Sequence, residues 1–287
     1  MIVAVVGCGN VGANLLQYLV DVENIEKILA IGSRGADEKA RAAIMDVASY
    51  KPLQAHKIVA SSNDSIAMAD AIVITAGFKA KYSETSKEVL RKNLRIIDSI
   101  LEGVKLKPTA ILIAITGPVD VITSYVQRKL NFPPEQVIGF GGDLDRNRLI
   151  YILAGLSIDS AEVGVVGEYG HRTILVYNLE KYDEVSSKVR FFLADIGKLA
   201  GVKRNLATAP LLAKLIRSIT EDRGDVHYVS GYSPQHGLYL TWPHRIGQRG
   251  ILSVEWLDLP PKAQSDFDAL VREKKLEKGE LEIEFKG

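Results

Sequence analysis

Short apolar runs alternate with amphipathic stretches through the first half of the chain. Alternating strands and helices of this kind build parallel sheets, whose strands are rich in valine, isoleucine and alanine because both faces are buried. The predicted strands are Ile2–Val6, Lys27–Ile31, Lys57–Ala60, Ala71–Thr75, Ala110–Ile115 and Gln136–Gly139. The predicted helices are Val11–Val22, Asp37–Ser49, Ser86–Gly103 and Val119–Leu130. The pattern therefore predicts an α/β domain with a doubly wound parallel sheet over residues 1–140.

The pattern changes near residue 142, where helices and strands begin to occur in groups. The predicted helices of this half are Asp143–Ala154, Lys181–Ala200, Ala207–Glu221 and Pro261–Lys275. The predicted strands are Ala161–Val166, Thr173–Tyr177 and several turn-rich strands between Val226 and Leu257. Strands grouped between helices are typical of an α+β domain. We therefore predict a second domain, of the α+β class, over residues 141–287.

A glycine-rich loop lies directly after the first predicted strand and opens the first helix. Residues 7–12 read Gly-Cys-Gly-Asn-Val-Gly, which matches the pattern G-x-G-x-x-G. In a dinucleotide-binding fold the first glycine permits a tight turn, the second lets the pyrophosphate approach the backbone, and the third lets helix and strand pack closely. A tight turn without a ligand would satisfy the same spacing. We predict a Rossmann dinucleotide-binding domain whose loop contacts the cofactor through Gly7, Gly9, Asn10, Val11 and Gly12.

The end of the second predicted strand bears on the choice of cofactor. An NAD site usually has an acidic residue about 20 residues after the glycine loop, where it binds the ribose 2′-hydroxyl. Gly32 stands at that position and is followed by Ser33 and Arg34. A hydroxyl and a guanidinium suit a 2′-phosphate, and no carboxylate would repel it. The sequence therefore predicts NADP in preference to NAD; the alternative is that Arg34 points into solvent.

Charge and composition narrow the classes of partner and compartment. The chain has 36 basic and 35 acidic residues, a balance that gives no electrostatic footprint for nucleic acid. No apolar run approaches the roughly 20 residues of a membrane span, and the first residues show no charged leader. The lone Cys8 excludes an internal disulfide; in the glycine loop it is a small filler or a reactive thiol. We expect a cytoplasmic protein whose partner is a small molecule.

Five short motifs follow the glycine loop in order. They are Ile72-Val73-Ile74-Thr75-Ala76-Gly77, Leu90-Arg91-Lys92-Asn93, Pro118-Val119-Asp120-Val121, Asp143-Leu144-Asp145-Arg146-Asn147-Arg148 and Gly167-Glu168-Tyr169-Gly170-His171. Together they resemble the motifs of the lactate/malate dehydrogenase family, and the likeness runs over nearly the whole chain. The resemblance implies that the nicotinamide end of the cofactor lies against Ala76, Gly77, Asn93 and Thr116.

The resemblance also implies catalytic positions, and some of them are altered. In the family, a histidine exchanges a proton with the substrate hydroxyl, an aspartate orients it, and an arginine holds the substrate carboxylate. A mobile loop adds two further arginines. By position, Asp145 matches the aspartate and Arg148 the carboxylate-binding arginine, whereas Tyr169 replaces the histidine. The two loop arginines fall at Ala80 and Ser86.

Other residues nearby offer replacements for the missing groups. Lys79 and Lys81 lie in the loop, as anion contacts or as solvated charges. His171 lies two residues after Tyr169, so in an extended chain both would project to the same side and His171 would reach Asp145. Tyr169 is the other candidate acid, although a tyrosine with a pKa near 10 is a poor acid–base group at neutral pH. Asp145 and Arg148, three residues apart on a helix, also fit an ordinary ion pair.

The leading prediction is an NAD(P)-dependent oxidoreductase, NADP-preferring, that transfers hydride between nicotinamide and a small anionic 2-hydroxy or 2-oxo acid. The resemblance implies a homo-oligomer, and we predict no metal, nucleic acid or membrane partner. The alternative is a cofactor-binding protein that has lost dehydrogenase turnover. A metal-dependent enzyme acting on sugar phosphates with a related fold is disfavoured, because the cysteine and histidine ligands expected at the mouth of its site are missing.

Overall fold

The computed structural model describes residues 1–32, 38–78, 85–160, 162–177, 181–200 and 206–284. Within these ranges the chain forms two compact units. The first contains the chain up to Phe140, the helix Thr208–Thr220 with the turn after it, and Ile246–Leu252. The second contains the remaining described residues.

The first unit is built on a parallel sheet. Its strands are β1 (Ile2–Val6), β2 (Lys27–Ile31), β3 (Ile58–Ser61), β4 (Ala71–Ile74), β5 (Ile111–Ala114) and β6 (Val137–Phe140). Their spatial order is β3-β2-β1-β4-β5-β6, and each neighbouring pair is parallel. This is the order of a Rossmann sheet, in which ligands bind outside the carboxyl ends of the strands where the order reverses. The predicted doubly wound fold is confirmed, and β1 ends at that reversal.

The helices of this unit follow the predicted pattern closely. They are α1 (Asn10–Leu19), α2 (Glu38–Tyr50), α3 (Ser86–Leu101) and α4 (Val119–Leu130). A capping box fixes the start of α3: the Thr85 backbone N–H donates to Glu88 Oε2 at 2.8 Å, and the Glu88 N–H donates to Thr85 Oγ1 at 3.3 Å. The predicted first residue of this helix, Ser86, agrees with the structure.

A helix from much later in the chain also belongs to the first unit. The helix Thr208–Thr220 lies against α1, and Asn24 Nδ2 donates to the carbonyl oxygen of Thr220 at 3.2 Å. The sequence prediction divided the chain once, after residue 140, and so grouped this helix with the second domain. The apolar face of the helix, which includes the fully buried Leu212 and Leu215, is instead buried with the first unit.

The second unit mixes helices with a largely antiparallel set of strands. In chain order its elements are α5 (Gly142–Gly155), β7 (Gly164–Gly167), β8 (Thr173–Val176), α6 (Tyr182–Ala200), nearly all of β9 (Asp225–Ser233), most of β10 (Leu238–Gly247) and α8 (Pro261–Glu284). The helix Thr208–Thr220 is numbered α7, and β11 (Gly250–Val254) is divided between the two units. The strand order is β9-β10-β7-β8, with β11 beside β10. Strands β7 and β8 form a hairpin in which Gly167 pairs with Thr173. The predicted α+β arrangement is confirmed.

Side chains on β7 and β8 alternate between two cores. Val165 and Leu175 pack with residues of α5 and α6, while Val166 and Ile174 pack with residues of α8. This alternation with period two is that of a strand buried on both faces. The hairpin is therefore held from both sides, and so is the turn between its strands.

The last helix is longer than the sequence predicted, because it continues from Lys275 to Glu284. Glu277, beyond the predicted end, receives two hydrogen bonds from the Arg172 guanidinium at 2.7 and 2.9 Å. That contact joins residues 105 positions apart and has no local sequence signal. None of the helices in the described part of the chain is long and apolar enough to span a membrane.

Candidate functional site

The glycine loop joins β1 to α1, and its glycines differ in what surrounds them. Gly7 has a φ of +109°, and a Cβ atom there would come within 2.5 Å of the Ala76 backbone nitrogen. A Cβ atom at Gly12 would overlap the carbonyl oxygen of Gly7. At Gly9 a Cβ atom would meet nothing within 4 Å. Gly7 and Gly12 are thus needed for packing within the protein, whereas Gly9 leaves its backbone open to a ligand.

The first turn of α1 suits an anion. Gly9 precedes the helix and has no side chain with which to cap it, and Asn10 and Val11 supply the first helical N–H groups. The first turn, all of whose residues are described, carries no acidic side chain. Unpaired N–H groups and the positive end of the helix dipole therefore face outward beside the open Gly9 backbone.

The carboxyl end of β2 lies beside the glycine loop. The Gly7 N–H donates to the carbonyl oxygen of Ile31 at 2.7 Å, and the next residue, Gly32, is buried. The position at which an NAD site usually carries an acidic residue is thus occupied by a glycine, which has no carboxylate. Ser33 and Arg34, the predicted 2′-phosphate contacts, lie outside the described residues.

The ends of β4 and β5 are tied together by two buried polar side chains. Asn93 Oδ1 accepts from the Phe78 N–H at 2.7 Å, and Asn93 Nδ2 donates to the Gly117 carbonyl at 2.7 Å. Thr116 Oγ1 donates to the Ala76 carbonyl at 2.6 Å. Among the predicted nicotinamide contacts, Asn93 and Thr116 are thus used to fix the backbone of this edge.

Gly77 is exposed at the same edge. The loop that follows it contains Lys79, Ala80 and Lys81, which lie outside the described residues, and Ser86 begins α3. The predicted anion contacts at Lys79 and Lys81 therefore stay predictions.

Asp145, the carboxylate among the candidate catalytic residues, is buried, with 1% of its surface exposed. Its Oδ1 accepts from the Arg148 guanidinium, and its Oδ2 accepts from the Thr173 hydroxyl and, at 2.8 Å, from the Gly170 N–H. Burial raises the pKa of the Asp145 carboxyl, and Arg148, Thr173 and Gly170 oppose that shift. Both carboxylate oxygens are thus bound by donors of the protein itself.

Tyr169 lies between Arg148 and the start of α5. The Arg148 guanidinium carbon is 5.7 Å from the centre of the Tyr169 ring, and a Cβ atom at Gly141 would overlap that ring. Burial raises the pKa of the Tyr169 hydroxyl above its ordinary value near 10, while the charge of Arg148 acts in the opposite sense. The hydroxyl is therefore protonated at neutral pH, which makes it a hydrogen-bond donor and not a base.

His171 does not meet Asp145 in the way an extended chain would place it. The segment between β7 and β8 is a turn, with a φ of +96° at Gly170, so alternate side chains do not share a side. The His171 ring is exposed and lies 5.9 Å from the ring of Phe191. Thr173, which the sequence reasoning missed, occupies the place at Asp145 that His171 was expected to take.

The sequence reasoning also missed a carboxylate–histidine pair that lies elsewhere in the second unit. His227 Nδ1 lies 2.8 Å from Asp143 Oδ2, and the Tyr228 N–H donates to Asp143 Oδ1 at 2.7 Å. The pair joins the first turn of α5 to β9 and is 84 residues apart, so no local pattern could have indicated it. In the described ranges, no group of three or more histidine, cysteine, aspartate or glutamate side chains is arranged to hold a metal ion.

The turn that carries Tyr169 and His171 is held by α8. Arg172 pairs with Glu168 and with Glu277, and Lys274 Nζ lies 3.2 Å from Glu168 Oε2. Lys274 is itself buried, so this pair is shielded from solvent. The network fixes the turn against the last helix and thereby the position of Tyr169.

Residues 1–139 match the sequence model of "lactate/malate dehydrogenase, NAD binding domain". The first half of the chain thus resembles the NAD-binding domain of the lactate/malate dehydrogenase family, and curated relatives of that family are similar to the chain over most of its length. The L-lactate dehydrogenase A of Rhizopus oryzae is 29% identical, over 88% of this chain and 84% of that protein. The malate dehydrogenase of Caldivirga maquilingensis is 28% identical, over 92% of this chain and 93% of that protein.

Solved structures of the family share the fold. The malate dehydrogenase of Picrophilus torridus superposes with a TM-score of 0.82 at 23% identity and covers 96% of this chain and 95% of its own. A lactate dehydrogenase from Cryptosporidium parvum, complexed with lactic acid and nicotinamide adenine dinucleotide, has a TM-score of 0.81 at 23% identity, with 95% of each chain covered. The family resemblance expected from the sequence motifs is confirmed.

The glycine loop offers a matched pair of variants, because Gly12 is packed against the protein backbone and Gly9 is open. Gly12→Ala places a methyl group on the Gly7 carbonyl oxygen, so we expect urea denaturation to show a loss of at least about 3 kcal/mol in the free energy of unfolding. Gly9→Ala meets no protein atom and should stay within about 1 kcal/mol of the parent. Equal stability of the two variants would contradict the packing role of Gly12.

Proposed function

We propose that this protein is a nicotinamide-dinucleotide oxidoreductase that acts on a small 2-hydroxy or 2-oxo acid. The observation that carries the proposal is the glycine loop at the reversal point of the sheet, where Gly9 is open and the α1 N-terminus faces outward. The most direct test is to titrate the purified protein with NADH and, separately, with NADPH, and to monitor binding by fluorescence. Absence of binding of either cofactor would refute the proposal.

The residues of the first unit fit a dinucleotide. Backbone N–H groups of Gly9, Asn10 and Val11 would bind the pyrophosphate, because the space in front of Gly9 is open and a side chain there would project into it. Ala76 and the exposed Gly77 would line the nicotinamide end. The nicotinamide supplies or accepts the hydride when bound; the protein's part is to hold it and to bind the substrate.

The cofactor that we propose is NADP in preference to NAD. The position beside the glycine loop where a carboxylate would bind the ribose carries Gly32. The two residues that follow, Ser33 and Arg34, offer a hydroxyl and a guanidinium, groups that bind phosphate.

This preference predicts a selective effect of Arg34→Ala. The variant should bind NADPH more weakly by about 1.5–3 kcal/mol, the contribution of charge-assisted hydrogen bonds, and should bind NADH as the parent does. Arg41→Ala, at an exposed site on α2, is the control for the loss of a surface charge and should change neither titration. Identical curves for both cofactors in the parent would contradict the preference.

For the substrate we propose Arg148 as the carboxylate-binding residue. Its guanidinium is positioned by Asp145 and stacked beside Tyr169, and 10% of its side chain is exposed. A planar guanidinium has five N–H donors, so pairing with Asp145 leaves capacity for a second anion. Residual solvent access at Arg148 is consistent with a ligand reaching it.

For the proton we propose Tyr169 as the hydrogen-bond donor to the substrate oxygen. Its hydroxyl is protonated at neutral pH, since burial raises the pKa. An acid that holds its proton this firmly contributes little to proton transfer, and general acid–base help is ordinarily worth roughly 100- to 10,000-fold in rate. The proposal is therefore a slow dehydrogenase with altered catalytic residues.

Turnover of the parent with oxaloacetate or pyruvate should accordingly fall well below the median enzyme value of roughly 10 per second. Tyr169→Phe removes the donor hydroxyl and should abolish the residual rate in a stopped-flow or coupled NADPH assay. His171→Asn, at the exposed turn position, is the matched control and should retain it. Loss of turnover in His171→Asn with retention in Tyr169→Phe would assign the proton exchange to His171 instead.

A second candidate function is cofactor binding without turnover. It is favoured by the environment of Asp145, whose two oxygens accept from Arg148, Thr173 and the Gly170 N–H and from no imidazole among the described residues. An aspartate bound in this way braces the structure, and Arg148 would then be its structural partner.

The two candidates differ in what Arg148→Leu should do. If Arg148 binds a carboxylate, oxalate should raise the melting temperature of the parent with NADPH and should not raise that of Arg148→Leu, while NADPH alone protects both. The variant should also lose about 3–5 kcal/mol in unfolding free energy, because Asp145 is left buried without its cation. Failure of oxalate to protect the parent would leave only the bracing role.

We further propose a cytoplasmic homo-oligomer. The single cysteine fits a reducing compartment. Along α2 and just after it, Met45, Tyr50 and Leu53 are each at least 71% exposed, and large apolar side chains exposed in this way are of the kind that another protein surface covers.

A further inference from the structure

The last helix carries a charged residue on a face that is otherwise apolar. Phe267, Leu270 and Val271 of α8 are buried in the core that this helix shares with β7 and β8. Lys274 follows one turn after Leu270, and only 6% of its surface is exposed. Lysine is almost never buried to this extent unless its ammonium is paired. An apolar residue of similar volume would continue the face without the loss of hydration that a buried charge suffers.

The ammonium of Lys274 faces a carboxylate on the turn between β7 and β8. Lys274 Nζ lies 3.2 Å from Glu168 Oε2, and only 14% of the Glu168 side chain is exposed. The Arg172 guanidinium contacts the same carboxylate oxygen and also pairs with Glu277 of α8. Charges of opposite sign therefore alternate between the turn and α8. On the side of the helix, Lys274 is buried, whereas Glu277 is exposed to solvent.

The beginning of the turn lies directly against α8. Gly167 has a φ of +99°, and a Cβ atom there would come within 2.8 Å of Leu270 Cδ2, so the helix approaches the backbone closely. Glu168 follows and pairs with Lys274. The other end of the turn is held separately, by the Asp145 carboxylate on α5.

Tyr169 lies between these two attachments and contacts a different helix from its neighbour Glu168. Its ring lies against Gly141, where a Cβ atom would overlap it, and beside the Arg148 guanidinium at 5.7 Å. One residue of the turn is thus bound to α8, and the next is presented to α5. A hydroxyl that donates to a substrate oxygen needs a defined position, because hydrogen bonds weaken steeply when they are misaligned.

We propose that Lys274 is a positioning residue, which holds Glu168 and thereby sets the place of the Tyr169 hydroxyl beside Arg148. The inference rests on the proposed function, in which Tyr169 donates to the substrate oxygen. A buried ion pair adds little net stability when the loss of hydration offsets the attraction. The geometry that the pair imposes on the turn, and not the stability that it adds, then explains a lysine at this buried position.

The test compares variants of the full-length protein. Lys274→Met removes the charge and keeps the length of the side chain, and Lys274→Arg keeps the charge. The double variant Glu168→Gln/Lys274→Met removes both opposite charges, so that neither is left without the other. Lys275→Met removes a charge from the next, exposed position of α8 and is the matched control.

Steady-state kinetics use NADPH with oxaloacetate or pyruvate, whichever the parent turns over faster. In the double variant kcat should fall at least about tenfold, since a displacement of about 1 Å at a reacting group can cost roughly a hundredfold in rate. Its KM for the acid should stay within about threefold, because Arg148 is held by Asp145 on α5. Its melting temperature should stay within about 4 °C of the parent, because both charges are removed together.

The single variants complete the comparison. Lys274→Met should show the same loss of kcat with a lower melting temperature, because Glu168 then has one cation fewer. Lys274→Arg should recover most of the lost rate, and Lys275→Met should behave as the parent does.

A second measurement reports the position of Tyr169 without turnover. Protein labelled with 13C at the tyrosine Cζ atoms contains 11 labelled sites, and Tyr169→Phe identifies the resonance of Tyr169. We expect this resonance to shift in Lys274→Met and in the double variant, because the ring changes its contacts with Gly141 and Arg148. It should stay in place in Lys275→Met.

The outcomes separate this inference from the proposed function. In a parent that turns over, an unchanged Tyr169 resonance in the double variant overturns the inference alone. A loss of kcat that follows the melting temperature across the variants, without recovery in Lys274→Arg, assigns Lys274 to stability and overturns it as well. So does a shifted resonance without a fall in kcat. A parent that binds NADPH but turns over neither acid refutes the proposed reaction, and the inference with it.

Discussion

The first unit depends on the close approach of β1, α1 and β4 at the glycine loop. Gly12 must lack a side chain because its α-carbon faces the carbonyl oxygen of Gly7, and Gly7 must lack one because it lies against the backbone of Ala76. These contacts bring the N-terminus of α1 to the reversal point of the sheet. The strand order, the helix dipole and the open backbone at Gly9 contribute to one ligand site only because this approach is possible.

The second unit has a comparable constraint in the buried carboxylate of Asp145. Burying a charge without partners is costly, and removing one partner of a buried pair typically costs several kcal/mol. Here the charge is compensated by Arg148 on the same helix and by Thr173 and Gly170 at the β7–β8 turn. The same bonds hold the turn to α5, so that the position of Tyr169 follows from the need to satisfy Asp145.

These two constraints have different consequences for chemistry. The glycine loop needs backbone geometry alone, which the packing of β1, α1 and β4 supplies. Proton exchange needs a side chain whose pKa is near the working pH. The Tyr169 hydroxyl, with a pKa raised by burial, does not meet that need, while the guanidinium of Arg148 pairs with Asp145 and keeps some exposure to solvent.

The sequence by itself determined the Rossmann half of the fold. The apolar runs gave strands such as β1 and β2 to the residue, and the amphipathic pattern gave the first residue of α3, because these features depend on burial and hydrogen bonds within a few neighbouring residues. The glycine spacing likewise indicated the dinucleotide loop, since the motif, the strand before it and the helix after it are contiguous.

Only the tertiary structure decided the partners of the candidate catalytic residues. Whether Asp145 meets His171 or Thr173 depends on the turn at Gly170, whose φ of +96° breaks the alternation that the sequence argument assumed. The pairing of His227 with Asp143 and the packing of α7 on α1 join segments that are far apart in the chain. Periodicity reports which face of a segment is buried, but it carries no information on which distant side chain lies opposite, because that is set by how the elements pack.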